Sequence, residues 1–282
     1  MPTFSTYDGT ELAYHLLGDS PGDAPIVCVP GGPMQASAYL GDLGGLATHC
    51  PLIQLDLRGT GDSAIPADPT SYRCDRQVGD VEALRRHLGL ESLNLLAHSG
   101  GTNLAVQYAA RHPEHVAKLA LISPSAFGVG LTITGEQRLA AARLRADEPW
   151  FPTAYAALQE IVAGNFAPDH WQAIAPLSHG RWDDAAQAME AAGATQKNDE
   201  AAGIYGSDDA FTPEATRTAL AAFPHPVLVL AGRTDVGVPA PVATEYAALF
   251  PHSTLTIQPA SGHFPWLDDP RSFTTTVSAF FA

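Results

Sequence analysis

One serine, one aspartate and one histidine in this sequence each lie just after an apolar run, and together these three residue types can perform acyl transfer. The run Leu93-Asn94-Leu95-Leu96-Ala97 leads into His98-Ser99-Gly100-Gly101, and a helix-compatible stretch follows. A strand that turns sharply into a helix lifts a serine hydroxyl above a sheet. Small residues must flank that serine, because side chains two positions away would strike neighbouring backbone. Gly101 supplies the second small position, and Ala97 stands where the pattern usually has its first glycine. A serine hydroxyl is a poor nucleophile until a base takes its proton, and the base must be held in one tautomer. His263, in Pro259-Ala260-Ser261-Gly262-His263, is the expected base. Asp235, closing Gly232-Arg233-Thr234-Asp235, is the expected orienting acid.

An acyl-transfer site also needs N–H donors aimed at the oxygen that becomes negative in the tetrahedral intermediate; one such donor is worth about 3 kcal/mol. Pro30-Gly31-Gly32-Pro33-Met34 follows the apolar run Ile26 to Val29, and its glycines let backbone N–H groups turn toward a site. The amides of Gly32 and Gly100 are the expected oxyanion donors, with Gly31 beside them against the substrate. The chain has eleven histidines, so the choice of base rests on position. His98 adjoins the nucleophile but follows the strand backbone away from it, which suits lining or packing. Asp268 and Asp269 are expected to cap a helix beginning near Pro270.

The elements that must hold these residues are legible as alternating patterns. Ile26 to Val29, Leu52 to Leu57, Leu93 to Ala97, Leu119 to Ile122, Val227 to Ala231 and Leu255 to Ile257 read as buried strands. Val78 to Leu88, Asn103 to Arg111, Val242 to Phe250 and Ser272 to Phe281 have amphipathic helical spacing. Such alternation predicts a mostly parallel sheet covered on both faces. Active sites of open α/β sheets lie beyond the carboxyl ends of the strands, where Ser99, Asp235 and His263 would converge. Asp8-Gly9, between two strand-like pieces of Thr3 to Leu17, predicts an antiparallel hairpin at one edge.

The rhythm breaks after Ser125. From about residue 127 to 222 the chain is Ala-rich, with helical segments around Gly135 to Arg145, Pro152 to Ala163 and Asp183 to Ala192, and strands resume at Pro226. The division expected is a core of residues 1–126 and 223–282 with a helical insertion, 127–222. Trp150, Phe151, Trp171 and Trp182 give that insertion apolar anchors to bury.

Composition narrows the function classes. With 282 residues, 45% of them hydrophobic, the chain can bury a full core. Thirty acids against fifteen Lys plus Arg give a formal charge of −15, which opposes association with nucleic acid or anionic lipid. Cys28, Cys50 and Cys74 are odd in number and unevenly spaced, which suggests neither a disulfide framework nor a metal site and fits a reducing compartment. Met1 to Ser20 lacks a basic segment followed by an apolar stretch, and no run of ~18 apolar residues could span a bilayer. A cytoplasmic, non-membrane protein is expected; oligomeric state is not legible.

On these residues the chain resembles the proline iminopeptidase branch of the α/β-hydrolases. Gly31-Gly32-Pro33 is similar to the branch's His-Gly-Gly-Pro-Gly, and Asp56-Leu57-Arg58-Gly59-Thr60-Gly61-Asp62-Ser63 to its Asp-Gln-Arg-Gly-x-Gly-x-Ser. The segments around Ser99 and His263 match as well, and the order Ser, Asp, His is that of the α/β-hydrolases. Pro30, Met34 and Leu57 depart from the branch pattern. The resemblance implies an eight-stranded, mostly parallel sheet with a helical cap over the active site and cofactor-free release of an N-terminal residue from peptides or amides. It also implies cap carboxylates that bind the substrate's free amine, commonly through a Trp-Glu pair. Trp182-Asp183 is the best match, and Glu190, Glu200, Asp208 and Glu214 are nearby candidates for a second acid. The alternative for Asp183 and Asp184 is an acid pair at a helix N-terminus. The expected activity is therefore removal of an N-terminal aminoacyl group from a peptide or small-molecule amide. The alternative is a carboxylesterase or carbon–carbon bond hydrolase using the same triad.

Overall fold

The computed structural model describes residues 1–18 and 24–282; residues 19–23, inside the expected core segment 1–126, lie outside the described residues. Strands β1 (Thr3–Ser5), β2 (Glu11–Leu17), β3 (Ile26–Val29), β4 (Leu52–Leu55), β5 (Leu93–His98), β6 (Val116–Ile122), β7 (Val227–Gly232) and β8 (Ser253–Gln258) form one sheet. Their spatial order is β1-β2-β4-β3-β5-β6-β7-β8. The β1–β2 hairpin is antiparallel, β2 joins β4 antiparallel, and every later pairing is parallel. Strand β4 stops at Leu55, two residues earlier than its apolar run, because Asp56 turns its carboxylate onto the backbone and hydroxyl of Ser37 (2.8 and 2.7 Å).

The central strands are apolar on both faces because helices cover both. Period-two alternation divides each strand. Leu93, Leu95, Leu119, Leu121, Val227 and Val229 pack on one side with residues of α1 (Cys74–His87), α2 (Gly101–Arg111) and, later in the chain, α9 (Ala240–Ala247). Leu96, Ala120, Ile122, Leu228 and Leu230 pack on the other with Trp266, Phe273 and Val277, from α10 (Pro265–Asp268) and α11 (Pro270–Phe281).

Between β6 and β7 the chain forms α3 (Gly135–Arg143), α4 (Phe151–Val162), α5 (Pro168–Ala173), α6 (Asp184–Gln196), α7 (Asp199–Tyr205) and α8 (Pro213–Leu220). Ala141, Ala142, Ala154, Leu158 and Leu177 form a small apolar centre here with Val236 of the β7–α9 connection. Small side chains let these helices approach closely, but they leave little apolar bulk to bury. Trp171, expected as a buried anchor, is 53% exposed. The later helices of the segment join the main core through Ala201, Tyr205 and Leu220, and backbone bonds add to the attachment. Met34 O accepts from the Asn198 N–H (2.9 Å), and Gln196 O from the Ala36 N–H (2.9 Å). The departures at Met34 and Leu57 thus serve packing; both side chains are buried.

The Asp56–Ser63 motif also folds as a structural hub. Arg58, wholly buried, bonds Asp80 through Nε (2.6 Å) and Asp8 through Nη1 (2.6 Å), while Ser63 Oγ donates to the Asp56 carbonyl (2.6 Å). No helix of the described residues is long and apolar enough to cross a membrane.

Candidate active site

Ser99 follows β5 with φ +50°, a left-handed conformation that costs a non-glycine residue roughly 1–3 kcal/mol and persists only where neighbours fix it. They do so here: the Ser99 N–H donates to the Ile122 carbonyl (3.0 Å), and the Ser99 carbonyl accepts from the Thr102 N–H (3.0 Å) and Thr102 Oγ1 (2.6 Å). Two glycines permit the surrounding approach. A Cβ on Gly101 would lie 2.2 Å from the Pro30 carbonyl oxygen, and one on Gly31 would lie 2.9 Å from the Ser99 Cβ.

His263 Nε2 stands 2.8 Å from Ser99 Oγ, and His263 Nδ1 stands 2.8 Å from Asp235 Oδ2. Asp235 is wholly buried; its other oxygen accepts the N–H groups of Gly237 (2.7 Å) and Val238 (3.1 Å). Burial pushes the Asp235 carboxyl upward, but the imidazole and these donors override it and hold the pKa below the usual value. Burial also works against charge on His263, and there the carboxylate of Asp235 prevails, so the imidazole pKa is raised above 6.5. The arrangement places an ionised acid behind a base that faces a hydroxyl, the requirement for removing the hydroxyl proton.

Of the two expected oxyanion donors, only Gly32 lines the cavity. Gly32 (φ +115°) lines the cavity in front of Ser99, and Gly100 begins the turn into α2. Neither amide N–H has an acceptor among the described residues. Gly31 does not line this cavity; it is buried, and its N–H donates to the Tyr39 hydroxyl (2.7 Å). Its place is beneath the site, because the close approach of the loop to Ser99 leaves it no free face.

Tyr39 is a residue the sequence did not single out. Its hydroxyl also contacts His98 Nδ1 (2.8 Å), while His98 Nε2 contacts the His263 carbonyl (2.9 Å). The carbonyl can only accept, so His98 carries its proton on Nε2 and Nδ1 accepts from Tyr39. Burial holds the His98 pKa well below 6.5. A continuous chain, Gly31 to Tyr39 to His98 to His263, thereby links the oxyanion loop to the base. Of the two roles expected for His98, lining the pocket or packing below it, its burial and absence from the cavity lining match packing. Asp269 caps α11 through the Ser272 N–H (3.1 Å), whereas Asp268 accepts from the Gly262 N–H (2.8 Å) and braces the His263 loop.

The cap residues expected to touch substrate are placed differently. Asp183 is the N-cap of α6, accepting from the Ala186 N–H (3.0 Å), and faces Arg181 Nε at 3.3 Å. Those backbone donors, then Arg181, hold its carboxyl below the usual range. It lines a separate hollow with Arg181 and Leu267, not the cavity of Ser99. Trp182 packs its ring against His179, with centroids 5.5 Å apart. A carboxylate that caps a helix is committed to that helix, and here the helix-terminal alternative describes its position. Glu190 is the cap acid whose charge acts on His263; its Oε1 lies 2.8 Å from His179 Nε2.

The cavity, of about 590 Å³, is walled by Phe127, Leu131, Ile133, Trp171, Ile174 and Val238, with Ser99 and His263 at its floor. Arg138 of α3 is its permanent cation. Two clusters away from it bring possible metal-ligand atoms within 4.8 Å of one another: Glu82, His112 and His115, and His15, Asp56 and Asp62. Glu82 is already bonded by Arg85 and Arg86, and Asp56 by Ser37, so both carboxylates have partners of their own.

A family model for the alpha/beta hydrolase fold matches residues 24–270. A proline iminopeptidase of Levilactobacillus brevis is 25% identical over 282 aligned residues, 95% of this chain and 92% of its own. That of Heyndrickxia coagulans is 32% identical over 121 residues, 43% of this chain and 42% of its own. Among solved structures, a proline iminopeptidase of Mycobacterium smegmatis superposes with TM-score 0.75 at 23% identity, over 99% of this chain and 97% of that one. An esterase of Exiguobacterium antarcticum superposes with TM-score 0.74 at 19% identity, over 99% and 98%. At these identities the structures speak to the fold alone. Together with the eight-stranded sheet and its helical insertion, the match over residues 24–270 shows that this proline iminopeptidase-like chain belongs to the alpha/beta hydrolase fold family.

Proposed function

We propose that this hydrolase cleaves an ester or amide of a small substrate through an acyl-enzyme on Ser99. The observation that carries the reading is the unbroken line Ser99 Oγ, His263 Nε2, His263 Nδ1, Asp235 Oδ2, with 2.8 Å at each hydrogen bond. Ser99 attacks the carbonyl carbon as His263 takes the hydroxyl proton. The Gly32 and Gly100 amides hold the oxyanion, and the tetrahedral intermediate collapses as His263 returns the proton to the leaving group. Water then attacks the acyl-enzyme by the same route. None of these steps calls on a metal or a cofactor.

The finer reading is an aminopeptidase that releases an N-terminal aminoacyl group from a peptide or amide, and the relatives named proline iminopeptidase support it. Such an enzyme needs a carboxylate for the substrate ammonium. Glu190 replaces Asp183 as our candidate: Asp183 belongs to another hollow, and Glu190 bonds His179, whose ring stacks on Phe264 next to His263, although Glu190 itself does not line the cavity. One observation favours the esterase version of the same chemistry: the only acid lining the cavity among the described residues is Asp235, and it is spent on His263. We place the protein in the cytoplasm, acting without nucleic-acid or membrane partners, in keeping with its −15 charge and the buried thiols Cys28 and Cys74.

Alanyl and prolyl 4-nitroanilides, their N-acetyl forms and 4-nitrophenyl butanoate separate the versions. Turnover of free-amine anilides with rejection of the acetylated ones is the aminopeptidase result, and loss of that preference in Glu190→Gln would assign the amine to Glu190. Ester turnover alone, lost in Ser99→Ala, is the esterase result. Hydrolysis that survives Ser99→Ala would remove the acyl-enzyme altogether.

A further inference from the structure

Arg138 brings a cation to a cavity whose other walls are apolar side chains and the neutral hydroxyls of Ser99, Ser125 and Ser178, beside the His263–Asp235 pair. It projects from α3 of the insertion, and its Nη1 donates to the carbonyl of Val236 (2.7 Å), one residue beyond Asp235. No carboxylate among the described residues lies within ion-pair distance of it. Its Nε–H and Nη2–H, the edge that commonly grips a carboxylate with two parallel bonds, have no acceptor among those residues. Burial disfavours its charge, and only the distant pull of Asp235 opposes that. Arg58 has Asp8 and Asp80, Arg145 has Glu148, and Arg85 has Glu82, whereas Arg217, like Arg138, has only a backbone carbonyl, that of Val129, but does not line the Ser99 cavity. A guanidinium kept half out of water with its pairing edge empty loses hydration and gains no counter-charge from the chain.

We propose that Arg138 determines specificity by binding a carboxylate on the substrate, so that the preferred ester or amide carries an anionic group on the side of the scissile bond that points up the cavity toward α3. This inference rests on the acyl-transfer reading of the Ser99 cavity and refines its substrate class. The pairing edge fits a planar carboxylate; Val236 fixes the guanidinium by its remaining nitrogen; and Phe127, Leu131 and Trp171 offer an apolar path between that carboxylate and Ser99. The same guanidinium repels a substrate ammonium, so an aminoacyl substrate would be zwitterionic, its amine turned away from Arg138. The surface charge of −15 opposes approach of an anion at long range, but it is screened beyond about 8 Å at physiological ionic strength, and at contact Arg138 dominates.

Two matched pairs of esters test the proposal: 4-carboxyphenyl butanoate against its methyl ester, with the charge on the leaving group, and mono-4-nitrophenyl suberate against its methyl ester, with the charge on the acyl group. The readout is the ratio of kcat/KM, carboxylate over neutral, in the native chain and in Arg138→Gln and Arg138→Lys. A charge-assisted hydrogen bond is worth about 1.5–3 kcal/mol, so for one of the pairs the ratio should fall about 10- to 150-fold in Arg138→Gln. Arg138→Lys should recover part of it. Ratios equal in all three proteins for both pairs overturn the proposal while leaving the hydrolase intact. Binding of the same compounds to Ser99→Ala, followed by calorimetry, separates this from failure of the acyl-transfer reading. If nothing is hydrolysed, Arg138-dependent binding of the carboxylate member still supports the proposal, and equal binding of both members overturns it.

Discussion

The edge of the sheet and the helical insertion above it treat their polar groups in opposite ways. At the sheet edge each one is fixed from several directions: Asp235 accepts three hydrogen bonds, His98 uses both ring nitrogens, and Ser99 is held in a strained conformation by Ile122 and Thr102. In the insertion Arg138 has a single bond from its side chain, and Glu190 has a single side-chain partner, His179. The chemical step needs reacting atoms held within tenths of an ångström, so its supports are redundant. Recognition needs partners left open, since a side chain already satisfied by the protein has nothing to offer a ligand.

The sharpest way to break this contrast is at Asp235. If the sheet edge is an orienting device, Asp235→Asn should keep the fold and lower kcat on the order of 10⁴-fold, because the amide stabilises the wrong imidazole tautomer and cannot stabilise the imidazolium. Steady-state kinetics on whichever substrate is turned over, with circular dichroism as the folding control, measures it. A loss of tenfold or less would mean that Asp235 is a packing residue and that His263 is oriented by its backbone and by His98.

A smaller effect lies in the pH dependence. His263 must be neutral to accept the Ser99 proton, and its pKa is raised above 6.5, burial opposing the charge and Asp235 winning. The rate should therefore climb with pH through a midpoint above 6.5 and be lost as the imidazole protonates below it. Glu190 helps to raise that pKa and Arg138 to lower it, so Glu190→Gln should move the midpoint down and Arg138→Gln should move it up. A kcat/KM profile on a neutral ester, whose own ionisation cannot interfere, measures both shifts. Midpoints unmoved in both variants would show that the cap's charges do not reach the base.

What could be read from the sequence follows the same division. Ser99, Asp235 and His263 announce themselves because parallel strands must be apolar and end at one edge, so a polar residue just past such a run has a predictable place. Residues of the insertion carry no such rule. Its helices are short and Ala-rich, and nothing in their spacing says which face looks into the cavity. Arg138 therefore gives no signal, and the substrate role that the resemblance implies for Asp183 does not fit its helix-capping position. Tyr39 was illegible for another reason: its hydroxyl serves Gly31 and His98, partners 8 and 59 residues away, which only the folded chain brings together.

The smallest effect is expected at Asp183, and it sharpens the contrast from the side of the insertion. The carboxylate caps α6 and is about half exposed, so Asp183→Ala should lower stability modestly, as loss of a helix N-cap does. Asp183→Ser, which keeps an acceptor for the Ala186 N–H but removes the charge, should restore most of that. Substrate preference should follow neither variant. Thermal unfolding and the KM for a free-amine anilide, measured on the same preparations, distinguish a cap from a ligand. A KM raised equally by both substitutions, with little change in unfolding, would return the amine to Asp183 and require the insertion to close differently over Ser99.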